Sequence, residues 1–215
     1  MPSPMRVSSR AGGRARGAVV ALLAVALAVV LGAVVGAHAL DASSSTAVRL
    51  VPEHAGAGPL VPDGVTVDDG VVPGGGTGLD SGLPAVVNLD VALLAALRRA
   101  ADAAADDGVA FTVTSGWRSA EYQERLLQEA VTEHGSAEEA ARWVATPDTS
   151  AHVSGGAVDL GPAAARSWLS EQGAAYGLCQ TYRNEPWHYE LRPAAAADGC
   201  PGMFADAAHD PRMQP

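Results

Sequence analysis

The sequence predicts an α+β domain, a small central antiparallel sheet flanked by helices, standing behind an N-terminal hydrophobic segment and a flexible stalk. Three observations carry that expectation. Helical and strand periodicities mix from about residue 84 onward without a regular βαβ repeat. A long apolar run sits directly behind a cluster of arginines. Between the two lies a stretch rich in Gly, Pro, Ser and Asp in which no hydrophobic period survives. At 215 residues the chain is long enough for one well-buried domain plus ancillary segments.

Residues 1–40 contain Arg6, Arg10, Arg14 and Arg16 and no acidic residue, and the run Ala18 to Ala37 is apolar throughout. A basic start followed by an apolar core reads as an export signal. The run is long enough to span a bilayer, whereas Ala37-His38-Ala39 has the small-x-small form of a signal-peptidase site. A retained anchor and a cleaved signal therefore both stand. Either way the chain is expected outside the cytoplasm, membrane-anchored or secreted. Residues 41–83 are expected as a flexible linker and residues 84–212 as a single folded, monomeric domain.

Within the domain, Asn88 or Asp90 can cap a helix whose face repeats Leu89, Leu93, Leu97 and Ala101, and Gly108 ends it. Val109 to Thr114 alternates like a half-buried strand. Ser119 opens a second helix with Tyr122, Leu126 and Ala130 on one side. Ser136 and Glu139 have capping-box spacing for a short helix to about Val144. Gly155 to Leu160 reads as a loop entering a strand, Pro162 as the first turn of a helix ended by Gly173, and Trp187 to Leu191 as a last strand.

Charge narrows the function. Acidic residues number 24 against 14 basic ones, and four of the basic ones lie in the leader. Such a chain is a poor nucleic-acid binder. Cys179 and Cys200 are the only cysteines, and outside the cytoplasm two cysteines in one small domain are expected to pair. That bridge closes a loop of about 20 residues, worth ~3 kcal/mol by loop entropy. The tail beyond Cys200 carries no recognisable chemistry.

Of six histidines, His38, His54, His134 and His209 read as solvated surface residues. His152 and His188 keep different company. Asp159 follows His152 by seven residues, with Gly155, Gly156 and Ala157 between them leaving room for a close turn. Glu185 precedes His188 by three. A catalytic zinc site takes three protein ligands and keeps one position open, and a further carboxylate must accept a proton from water. His152, Asp159, His188 and Glu185 have the right chemistry. By spacing alone, two separate core histidines, each paired to an acid, also account for the pattern.

Ser115-Gly116-Trp117-Arg118-Ser119 with Gln123 resembles the SGYRS-x-x-x-Q motif of VanY-type D-alanyl-D-alanine carboxypeptidases. Ser150, His152, Gly155, Ala157 and Asp159 match the family's S-x-H-x-x-G-x-A-x-D, and Glu185, Trp187 and His188 match its E-x-W-H. The three motifs stand in family order. The resemblance implies the LAS-type zinc peptidase fold, a single zinc ion on His152, Asp159 and His188, and Glu185 as general base and acid. It implies that Arg118 contacts the reacting carbonyl or the substrate's terminal carboxylate, and that Gln123 and Ser150, with Ser115 and Trp187 nearby, bind substrate. The substrate implied is a peptidoglycan stem peptide losing its terminal D-alanine. Trp117 departs from the family's tyrosine, and its ring is expected to line the substrate groove. An L,D-carboxypeptidase or a wall endopeptidase shares this chemistry. A silent zinc- or wall-binding module is the rival of another class, and the presence of Glu185 argues against it.

Overall fold

Asp90 caps the first long helix: its carboxylate accepts from the backbone N–H groups of Ala92 and Leu93 at 2.9 and 3.0 Å, satisfying two donors that a helix start leaves unpaired. The structure, a computed structural model, describes residues 64–213. The apolar run at 18–37 and the first part of the expected linker lie outside the described residues. Among the described residues no helix is long and apolar enough to cross a membrane.

The elements in chain order are α1 (Pro84–Val87), α2 (Val91–Asp106), β1 (Thr112–Ser115), α3 (Ala120–His134), α4 (Ala137–Ala140), β2 (Ala157–Gly161), α5 (Ala163–Gln172), β3 (Leu178–Gln180), β4 (His188–Leu191) and α6 (Ala195–Asp198). The start of α2 is as read, but its buried stripe is Leu93, Ala96, Leu97, Ala100 and Ala104, and Ala101 is only half-buried. Ser119 caps α3 by accepting from the Tyr122 N–H at 3.0 Å. Ser136 does the same for α4 through the Glu139 N–H. That helix is one turn long and stops short of Val144, because Arg142 and Trp143 donate to carbonyls three residues back rather than four. Strand β3 escaped the sequence reading, since three residues are too few to show a period.

The four strands form an antiparallel sheet in the order β1-β2-β4-β3. This is the α+β architecture expected. Alternation along each strand separates two faces. Val158, Leu160, Leu178 and Tyr189 enter the hydrophobic core with Leu93 and Leu97 of α2 and Ala165 and Leu169 of α5. Asp159, His188 and Glu190 alternate with these residues and so occupy the opposite face.

Two segments differ from the sequence reading. Residues 64–83 belong to the stretch expected as linker, yet they are strapped onto the domain. Asp69 receives the Ser119 N–H on its carbonyl at 2.8 Å and the Ser119 hydroxyl on its carboxylate at 2.9 Å. Thr77 exchanges backbone hydrogen bonds with Val113 of β1 at 2.8 and 2.9 Å, and Val71 and Leu79 are buried. Glycine-rich turns show no hydrophobic period, so their docking was invisible in sequence. The C-terminal tail also packs. Cys179 and Cys200 are joined by a disulfide with Cα atoms 5.6 Å apart, and Phe204 pairs with Tyr182. Asp206 and Asp210 are fully buried in ion pairs with Arg142 and Arg212. His209 is exposed, as the sequence reading has it, and lies 2.6 Å from Asp206.

Cys200→Ser should lower stability by about 3 kcal/mol, because the bridge closes a long loop. Urea unfolding of the oxidised protein and the variant measures this. Coincident midpoints would show that the tail is held by its ion pairs alone.

Candidate active site

The site begins as a row across three strands. Ser115 of β1 lies opposite Asp159 of β2, and Asp159 lies opposite His188 of β4. Directly opposed residues of antiparallel strands share a face at close range. Simple alternation would put Ser115 on the same side as Val113, in the core. A one-residue register shift between Val113, which pairs with Leu160, and Ser115, which pairs with Asp159, turns the serine to the polar face instead.

His152 arrives from the loop between α4 and β2. Its Nδ1 lies 2.7 Å from the Gly116 carbonyl, which fixes Nδ1 as the donor and leaves Nε2 with a lone pair. Two glycines make this approach feasible. A Cβ on Gly116 would stand 2.0 Å from the Ala85 carbonyl oxygen. Gly155 has φ of 75°, and a Cβ there would lie 2.5 Å from the Asn88 carbonyl oxygen. The Gly155 carbonyl accepts from Asp90 N–H at 2.9 Å, tying the loop to the start of α2.

Three atoms now converge. His152 Nε2 and His188 Nδ1 are 3.2 Å apart, and each is 3.4 Å from Asp159 Oδ1. All three residues are buried, and Oδ1 has no hydrogen-bond partner. A buried carboxylate oxygen without a partner is costly. Two imidazole nitrogens aimed at it complete a donor set suited to a divalent metal with nitrogen and oxygen preferences. Electrostatics agree. Burial opposes the charge on Asp159, but His152, His188 and Arg118 outweigh it and hold the carboxyl well below the usual range. Burial pushes the His152 imidazole down. It also opposes charge on His188, where the neighbouring carboxylates of Asp159, Glu190 and Glu185 prevail and raise it. His152, Asp159 and His188 would hold such a metal with the histidines neutral, since only an unprotonated ring nitrogen can ligate.

Glu185 sits beside the cluster, its Oε2 3.7 Å from His188 Nδ1. Burial pushes this carboxyl up to about 7, against the pull of His188. Arg118, following β1, spreads its guanidinium across the site: Nε donates to Ser115 Oγ at 2.9 Å, Nη1 to Gln123 Oε1 at 3.1 Å and Nη2 to Asp159 Oδ2 at 3.1 Å. Gln123 is buried and also donates to the Ala145 carbonyl at 2.9 Å. Both ends of its amide are engaged, so it braces the arginine from behind.

A cleft of about 490 Å³ opens over these groups, with Arg118, Gln123, Ser150, Glu185 and Trp187 in its lining. One wall is α3, whose Gln123, Leu126, Ala130 and Glu133 recur at helical spacing. His134, read as a surface residue, stacks on Trp143 at 5.8 Å along that wall. Trp117, expected in the groove, is not among the lining residues. Sequence reasoning missed Glu190, although a residue two after His188 on a strand must share its face. It also missed Tyr182, whose ring lies 5.0 Å from that of His188 and for which no local signal exists.

Fold and site together define an α+β peptidase-type domain built around a buried His–Asp–His cluster. Within that class the chain belongs to the VanY D-alanyl-D-alanine carboxypeptidase family, whose sequence profile matches residues 87–194. A D-alanyl-D-alanine carboxypeptidase of Enterococcus faecalis (strain ATCC 700802 / V583) is 35% identical over 134 residues, covering 51% of this chain and 50% of that protein. The chain thus spans about half the length of this curated relative. Among solved structures, a variant of the vancomycin resistance D,D-pentapeptidase VanY from a VanB-type resistance cassette, in complex with Zn(II), is similar with a TM-score of 0.51 at 28% identity, over 66% of this chain and 90% of that one. VanYB in complex with D-alanine-D-alanine is 31% identical with a TM-score of 0.48, over 51% of this chain and 75% of that one.

Gly155→Ala should destabilise the domain by at least about 1–2 kcal/mol, the penalty for a left-handed alanine, before any contact with Asn88. Thermal unfolding measures it. A variant as stable as the parent would mean that the His152 loop does not depend on this turn.

Proposed function

We propose that this chain is an exported zinc metallocarboxypeptidase that hydrolyses the terminal D-alanyl bond of peptidoglycan stem peptides, with residues 1–40 as signal or anchor and the domain acting outside the membrane. The observation that carries the reading is the partnerless Oδ1 of Asp159 facing His152 Nε2 and His188 Nδ1, with a buried glutamate alongside. The Zn(II) complex of the related pentapeptidase supports zinc as the metal.

His152, Asp159 and His188 would hold one zinc ion, which supplies a Lewis acid to polarise the scissile carbonyl and make water acidic. The remaining steps fall to this chain's own groups. Glu185, raised to about 7 by burial, is tuned to take a proton from the attacking water and return it to the leaving amine near neutral pH. Arg118 keeps donors free beyond the three it uses, and its fixed charge offsets the negative charge that grows on the carbonyl oxygen. Braced by Gln123 and Ser115, it is held for paired hydrogen bonds to a planar carboxylate. Ser150 and Trp187, both in the cleft lining, bound the pocket for the departing residue.

Purified protein should contain zinc in a one-to-one ratio and lose activity on D-alanyl-D-alanine peptides with chelator. Glu185→Gln should keep the metal and lose about 10²–10⁴-fold in turnover. Activity that survives chelation, or a glutamine variant with near-full turnover, contradicts the assignment.

An exopeptidase must sense a free carboxylate, so amidating the substrate's C-terminus separates this reading from an endopeptidase one. Hydrogen bonds to a charged group are worth ~1.5–3 kcal/mol each, so losing one or two should cut kcat/KM by roughly 10–10⁴-fold. Equal cleavage of acid and amide would favour the endopeptidase.

A further inference from the structure

The polar face of the sheet carries a second layer of charge that the proposed chemistry leaves unused. Glu190 follows His188 by two residues on β4 and shares its face. Its side chain is 5% exposed. Glu190 Oε1 lies 3.4 Å from His188 Nε2, the ring nitrogen turned away from Asp159. Arg212, near the end of the C-terminal tail, grips this carboxylate with both terminal nitrogens: Nη1 to Oε2 at 2.6 Å and Nη2 to Oε1 at 3.0 Å. The Arg212 Nε donates to Asp210 at 3.0 Å. Asp210 in turn accepts from the Tyr182 hydroxyl at 3.0 Å, and the Tyr182 ring packs on His188. The tail therefore reaches the histidine twice, at its far nitrogen through Glu190 and at its ring face through Tyr182.

We propose that Arg212 is a positioning residue for His188, acting through Glu190, so that docking of the C-terminal tail completes the metal site; the proposal rests on reading His152, Asp159 and His188 as metal ligands. The physical argument is one of orientation. A histidine that offers one nitrogen to a metal must have its other N–H held, which fixes the tautomer and the ring plane. Glu190 is the group within reach of Nε2, and accepting that proton leaves the Nδ1 lone pair aimed at His152 and Asp159. A buried carboxylate can play this part only if its own charge is compensated and its rotation stopped. Paired hydrogen bonds from one guanidinium do both. Arg192 also meets Glu190, at 2.9 Å, but only through Oε2. Arg212 alone engages both oxygens and links them to Asp210 and Tyr182.

The test uses the full chain, stripped of metal, titrated with zinc in competition with a chromophoric chelator, with thermal unfolding of each metal-free protein recorded in parallel. Arg212→Met and Glu190→Gln should each weaken zinc binding by roughly 10–100-fold, the usual effect of losing a group that orients a ligand. Arg212→Lys should recover part of the loss, because it restores the charge without the paired geometry. The control is Arg142→Met. It breaks a different ion pair of the same tail, Arg142 with Asp206 at 3.0 Å, and should leave zinc affinity unchanged even where it lowers the unfolding temperature. Zinc affinity of Arg212→Met equal to that of the parent overturns the proposal. So does an equal loss in Arg142→Met, which would make the tail a general structural support. If Arg212→Met does not fold, the nearly isosteric Glu190→Gln decides alone, and unchanged affinity there is fatal. A parent protein that binds no zinc overturns the metal-site reading itself, a distinguishable result.

Discussion

Asp159 sets the terms for the rest of the domain. A carboxylate taken out of water is tolerated only when charges or donors surround it, and here the compensation comes from three separate parts of the chain. Arg118 follows β1, His152 comes from a loop, and His188 comes from β4, each within 3.4 Å of one or other carboxylate oxygen. One oxygen is satisfied by the guanidinium. The other is attracted to two imidazoles without being hydrogen-bonded to either. The geometry fits a set of groups able to hold a metal ion. Strand pairing, the Gly116 carbonyl and the turn at Gly155 all serve to bring its members to one point.

The sheet divides the labour. One face is a dry core of aliphatic and aromatic side chains against α2 and α5, and burial of such surface at roughly 25 cal/mol per Å² is the main source of stability. The other face carries the buried ionisable groups Asp159, His188 and Glu190, with Glu185 buried beside them. Buried ion pairs contribute little net stability and are often outperformed by apolar substitutes. Their concentration on one face is therefore better explained by chemistry than by folding. The disulfide and the tail ion pairs lie at the edge of this layer, holding down a segment with little apolar surface of its own.

The cleft has a directional character that follows from the same division. Arg118 and the His–Asp–His cluster line one part of it, while Leu126, Ala130, Glu133 and His134 of α3 line another, with Trp143 stacked on His134. Among the described residues Arg118 is the one arginine in that lining, so the proposed substrate, a peptide ending in a carboxylate, would meet its charge there. Burial also raises the affinity of Glu185 for a proton beside the same cluster, so under the proposed function substrate recognition and proton transfer would share one desolvated region.

Much of this was legible in the chain itself wherever the determinant is local. Asp90, Ser119 and Ser136 announce helix starts because a cap acts over two or three residues. The intervals from His152 to Asp159 and from Glu185 to His188 are compatible with a metal site but equally with two separate core histidines, and it is the three motifs standing in family order that single out the ligand set in sequence. The position of Glu190 on the face of His188 follows from strand alternation alone and was available to a closer reading. Other features depend on contacts between distant segments, which no local period records. His152 and His188 meet across 36 residues, Arg212 reaches Glu190 across 22, and residues 64–83 dock through turns and backbone hydrogen bonds rather than through a hydrophobic stripe. Which way Ser115 faces is the sharpest case. Alternation points it into the core, and only the register of β1 against β2, set by how the two strands pair in space, turns it toward Arg118.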